Sequence, residues 1–142
     1  MVRLFLLLAL LSGTAYPCEQ QEPLPNRLKK MVNMINKERK ARGLHALKVD
    51  PKLNCAAQMH SDDIGPDRLC QHEGTDGSSP WDRAKRCGAL AFGENVACGQ
   101  DTPRKAVDAW IKSPGHFKNM MNEKFEFIGV GVNNNFWTNI FR

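Results

Sequence analysis

Several kinds of chemistry are excluded by patterns this chain of 142 residues does not contain. No C-x-x-C pair occurs, so its cysteines do not have the spacing of a zinc ribbon or finger. Neither an H-E-x-x-H helix nor a G-x-S-x-G elbow is present, which removes the signatures of the common zinc proteases and serine hydrolases. No aromatic residues are interleaved with the basic ones, so there is no platform for stacking nucleic-acid bases. No internal repeat is evident. After the first fifteen residues no apolar run approaches the ~20 residues that a membrane-spanning helix needs.

The N-terminal stretch, MVRLFLLLALLSGTA, has one basic residue, an apolar run from Leu4 to Leu11, and small residues at Gly13 and Ala15. It reads as a secretory signal peptide over residues 1–15 and is too short to span a membrane. Residues 16–25 are then a polar, proline-containing tail, and residues 26–142 form one domain. The expected location is extracellular. Export brings the five cysteines into an oxidising compartment. Cys55, Cys70, Cys87 and Cys98 are expected to make two disulfides, with three connectivities open, and Cys18 is left over in the tail.

The formal charge of +5 is a modest excess. Much of it lies in Arg27, Lys29, Lys30, Lys37, Arg39, Lys40 and Arg42, and a solvated helix face accounts for that run as well as a polyanion patch does.

Punctuation along the chain predicts its elements. Leu28, Met31, Val32 and Ile35 follow helical spacing in a helix from about Asn26 to Arg42, which Gly43 stops. Asp50-Pro51, Ser79-Pro80, Thr102-Pro103 and Ser113-Pro114 each place a capping residue before a proline, the pattern of a helix start. The second helix should end at Gly65-Pro66, and Asp82 stands at capping-box spacing from Ser79. A strand is expected in Ala91–Cys98, and a hairpin from Phe127–Val132, through three asparagines, to Phe136–Phe141. In its first strand Gly129 and Gly131 alternate with apolar residues and leave one face bare for a close neighbour. The fold class is α+β, with helices on a small, mostly antiparallel sheet.

Four residues stand out chemically. His116 sits in the first turn of the helix after Ser113-Pro114, where the positive end of the helix disfavours a charged imidazole. His72 lies in a Gly-, Asp- and Ser-rich loop beside Cys70. Glu94 interrupts an apolar strand and needs a cation, a metal or hydrogen-bond donors if it is buried. His60 falls on the inner stripe of the second helix, where a backbone-bonded core histidine is the commoner outcome.

CQHEGTDGSSPWDR, GENVACGQ, AVDAWIKSPGHFKNMMN, and FIGVGV followed by FWTNIF occur in that order. Together they resemble the CAP superfamily, the SCP domain of cysteine-rich secretory, antigen 5 and pathogenesis-related proteins, and most closely its compact bacterial and fungal-type branch. The resemblance covers about Asn26 to Arg142 and implies an α/β/α sandwich. It also implies a cleft in which His72 and His116 are the two family histidines and Glu94 the glutamate of the G-E-N element, a set able in some members to hold a divalent metal such as zinc. Where many animal members have a second glutamate this chain has Ser113, which puts a paired-carboxylate mechanism in doubt. The expectation is a secreted binding module for a small lipid, a sterol or an extracellular protein, with a metal-dependent hydrolase using Glu94 as base as the alternative. Nucleic acid is not an expected partner.

Overall fold

The computed structural model describes Cys18, residues 23–67 and residues 69–142. The expected signal peptide and most of the tail lie outside the described residues. Helix α1 (Asn26–Ala41) buries Leu28, Met31, Val32 and Ile35, the stripe set by the sequence, and the chain turns away at Gly43 with a φ of 74°. Helix α2 (Pro51–Asp67) runs through Gly65-Pro66 instead of stopping there. Pro66 removes one N–H from the ladder of the last turn, and Gly65 lets the carbonyl of Asn133 come close: a Cβ at that position would lie 3.2 Å from it.

Helix α3 (Pro80–Arg86) starts with the expected capping box, Ser79 and Asp82 each bonding the other's backbone N–H. Helix α4 (Pro103–Lys112) is capped by the Thr102 hydroxyl, which accepts from the Lys105 N–H. Helix α5 (Pro114–Met120) follows with Ser113 at its N-cap, but the Ser113 side chain makes no cap hydrogen bond.

The sheet comprises β1 (Lys48–Val49), β2 (Gly93–Cys98), β3 (Phe127–Asn133) and β4 (Phe136–Phe141), in the order β1-β3-β4-β2. Among the described residues only β1 with β3 is a parallel pair. The fold is therefore α+β with a mostly antiparallel sheet, as expected, although β1 itself is too short to leave a periodic signal. Asn134 and Asn135, at φ 45° and 66°, form the two-residue hairpin turn whose left-handed geometry asparagine tolerates.

Alternation along β3 and β4 divides the molecule into three layers. Ile128, Val130, Trp137 and Phe141 face a core completed by α1, α4 and Met120 of α5. On the other face Ile140 packs with Leu53, Ala56 and Ala57 of α2 and Ala84 of α3. There Gly129 and Gly131 are the bare positions, and α2 lies directly on them: a Cβ at either residue would collide with backbone of Leu53 or of Ala57 and Gln58.

Two further expectations require correction. Arg39 is not part of a solvated face. It is wholly buried and donates to the carbonyls of His45 (2.9 Å), Met120 (2.8 Å), Asn122 (2.9 Å) and Phe125 (3.4 Å), tying the end of α5 and the loop before β3 to α1. The disulfides also differ. Cys70 pairs with Cys98, but Cys87 pairs with Cys18, leaving Cys55 as the free thiol. Cys55 lies on α2 and Cys87 at the end of α3, so either Cys18 or Cys55 could have completed that bridge.

Candidate functional site

β2 is an edge strand, and its first residues carry the site. Glu94 points to the α2–α3 side and is almost fully buried, 2% of its side chain being exposed. Its Oε2 accepts from Nη2 of Arg83 at 2.7 Å and its Oε1 from Nδ1 of His72 at 2.8 Å. The sequence called for a partner for this buried acid, and Arg83 is that partner. A carboxylate oxygen can only accept, so His72 carries its proton on Nδ1 and presents Nε2 as the unengaged ring nitrogen.

Arg83 also shapes the loop that carries His72. It donates to the carbonyl of Ser78 at 2.7 Å and to that of His72 at 3.0 Å, while remaining 2% exposed. Asp63 of α2 holds the same loop by accepting from the N–H of Thr75 at 2.8 Å and from the Thr75 hydroxyl. The Cys70–Cys98 bridge anchors the start of the loop to the end of β2. His72 is thus an exposed imidazole on a loop fixed at several points.

His60 is buried, as expected for a core histidine. Its Nε2 donates to the Gln71 carbonyl at 2.8 Å, and it lies 3.8 Å from Oε1 of Glu94. Its Nδ1 has no partner among the described residues. Burial lowers its pKa, against the raising influence of the Glu94 charge.

His116 approaches from the other side of the edge strand. Its ring centroid is 6.5 Å from that of His72. Asn95, fully buried in β2, donates to the His116 carbonyl at 3.1 Å, and Asn119 of α5 donates to the carbonyl of Glu94 at 3.1 Å and to Oδ1 of Asn95 at 3.0 Å. These amide bonds dock α5 on β2 and place its imidazole. The two histidines titrate in opposite directions. The hydrogen bond to Glu94 raises the pKa of His72, whereas burial, and then the neighbouring His72 charge, lower that of His116. Burial and the His72 charge thus act in the same direction as the helix end expected to disfavour a charged imidazole at position 116.

The expected set of His72, His116 and Glu94 is brought together. Each oxygen of Glu94 accepts one hydrogen bond, Oε1 from His72 and Oε2 from Arg83, so the carboxylate orients the His72 ring. Among the described residues, the ligating atoms that converge within 4.8 Å are the sulfurs of Cys18, Cys55 and Cys87. Ser113 stands at the start of α5. Arg83, Asn95 and Asn119 were missed as site residues; the only hint of Arg83 was the buried acid in need of a cation.

An apolar groove of about 410 Å³ adjoins Glu94, lined by Ser79, Pro80, Trp81, Ala91, Phe92 and Gly93. Trp81 and Phe92 are 44% and 63% exposed, with ring centroids 6.2 Å apart.

The three-layer α+β fold is that of an SCP domain. The chain belongs to the CAP family, described as the cysteine-rich secretory protein family, whose model matches residues 32–139. It is 38% identical over 117 residues to the uncharacterized protein YkwD of Bacillus subtilis, a match covering 80% of this chain and 46% of that protein. The uncharacterized membrane protein YlbC of the same organism is 30% identical over 116 residues, covering 80% of this chain and 33% of the relative. The chain thus spans less than half the length of these relatives. Among solved structures, an extracellular SCP-domain protein of Bacillus anthracis superposes with a TM-score of 0.76 at 30% identity, covering 80% of this chain and 39% of that one. An outer surface protein of Borrelia burgdorferi shares the fold with a TM-score of 0.70 at 24% identity, covering 82% and 92% of the two chains.

Proposed function

We propose that this protein is a secreted CAP-family binding module whose ligand is a small amphipathic molecule of the lipid or sterol class. The polar end of the ligand meets His72 and His116, and its apolar body lies on Trp81 and Phe92. The observation that carries this reading is the apolar groove lined by the exposed rings of Trp81 and Phe92 and by Glu94, the carboxylate that accepts from His72. Large exposed aromatic residues next to convergent polar groups are typical of small-molecule sites. Export is supported by the N-terminal apolar pattern and by the description of the Bacillus anthracis relative as extracellular.

Binding is favoured over hydrolysis by the state of Glu94. A general base must reach the proton it removes, and this carboxylate is buried with both oxygens occupied. A divalent ion at the cleft would bond Nε2 of His72 and a ring nitrogen of His116, with Glu94 behind His72 as orienting carboxylate. Two imidazoles fall short of the three protein ligands of a catalytic zinc site. Retention of a labelled sterol and a labelled fatty acid, with parallel zinc titration, tests the reading. Wild type should retain an amphiphile, and His72→Ala with His116→Ala should lose at least ~tenfold in affinity; no retention by wild type at micromolar protein overturns it.

A further inference from the structure

Away from the histidine cleft, three sulfurs meet at one point. Cys55 is a free, half-buried thiol on α2, and Cys18 and Cys87 form a disulfide beside it. The three sulfurs all lie within 4.8 Å of one another. α2 and α3 pack together in the layer that contains Cys87, with Cys18 and Cys55 against the same cluster. A thiolate next to a disulfide is the arrangement required for exchange.

We propose that Cys18, Cys55 and Cys87 form an exchange centre in which Cys55 displaces Cys18 from Cys87 and releases the tail cysteine as a reactive thiol. The Cys55 thiolate attacks Sγ of Cys87, the Cys55–Cys87 bond forms, the Cys18–Cys87 bond breaks, and Cys18 leaves as a thiolate. The proton lost by Cys55 is taken up by Cys18 through solvent. One disulfide and one thiol are present before and after, so the step needs no external oxidant. The product staples α2 to the end of α3, elements already in contact, and frees the Cys18 thiol. Burial raises the pKa of Cys55, so at neutral pH the attacking thiolate is the minor form and exchange is slow. The freed Cys18 is a site for mixed-disulfide modification: with glutathione disulfide it gives Cys18–S–S–glutathione and releases one glutathione thiolate. This inference is independent of the ligand proposed for the cleft.

The test is peptide mapping of the oxidised protein after incubation with glutathione disulfide, with acid quenching and digestion at low pH to stop scrambling. Wild type should yield Cys55–Cys87 peptides and glutathione on Cys18, with Cys70–Cys98 unchanged as the internal control. Cys55→Ser should retain Cys18–Cys87 and take up no glutathione at Cys18. Cys18→Ser should form Cys55–Cys87 directly, which reports the same geometry without the attacked bond. Glutathione found on Cys55 alone, with Cys18–Cys87 intact in wild type, overturns the proposal; so does a folded Cys18→Ser protein that keeps Cys55 and Cys87 reduced under the same conditions.

Discussion

At the scale of single residues, the site depends on a buried charge pair that holds an exposed imidazole. Removing one partner of a buried pair leaves an uncompensated charge, a loss of about 3–5 kcal/mol. Arg83→Met should therefore destabilise the fold by that order in urea unfolding, and adding Glu94→Gln should restore part of the loss; an Arg83→Met protein as stable as wild type would contradict the pairing. Proton-detected titration of the imidazoles checks the electrostatics. His72 should titrate above the ordinary histidine value and His60 and His116 below it, and Glu94→Gln should bring His72 down. The consequences for stability have opposite signs. The His72 contribution is fully present below its unfolded pKa and is lost as pH rises through its raised folded pKa. For His60 and His116, whose folded pKa is depressed, the unfolded chain takes up protons first, so stability falls as pH drops below the ordinary histidine value.

At the scale of elements, the domain is organised by how closely α2 lies on β3. Gly129→Ala would set a Cβ against the Leu53 backbone, which cannot yield as a side-chain tip can. The expected cost is about 3 kcal/mol or more, at or beyond the upper end for overpacking. Gly115→Ala, where nothing lies within 4 Å of the added carbon, should change stability by no more than ~0.5 kcal/mol, as ordinary surface substitutions do. Thermal unfolding of the two variants gives the comparison, and equal midpoints would refute the close approach. The alternation of glycine with Ile128, Val130 and Val132 made this contact legible in the sequence, as cap-plus-proline pairs did for the helix starts. β1 was not legible because two residues hold no period. Arg39 was missed although it stands on the stripe of Leu28, Met31, Val32 and Ile35, because a basic residue among basic neighbours reads as solvated until the carbonyls of residues 120–125 are seen to meet it.

At the scale of the whole molecule, the edge strand gathers residues from separate parts of the chain: Glu94 and Asn95 from β2, His72 and Arg83 from the loop and helix before it, and His116 and Asn119 from α5. Motif order brought His72, Glu94 and His116 together before any geometry was available, but spacing along a chain does not say which atom of a carboxylate is already taken. Nor does it reveal disulfide connectivity, since Cys18 and Cys55 compete for the same place beside Cys87. The groove offers an internal reporter for the binding account. Of the three tryptophans, Trp110 and Trp137 are buried, their indole N–H groups bonded to the carbonyls of Val96 and Gln100, whereas Trp81 is exposed at the groove. The most direct measurement is therefore the indole N–H spectrum during titration with a bound sterol or fatty acid. The account predicts that the Trp81 signal and the His72 and His116 ring signals shift together while those of Trp110 and Trp137 stay in place; binding that leaves Trp81 and both histidines unmoved would contradict it.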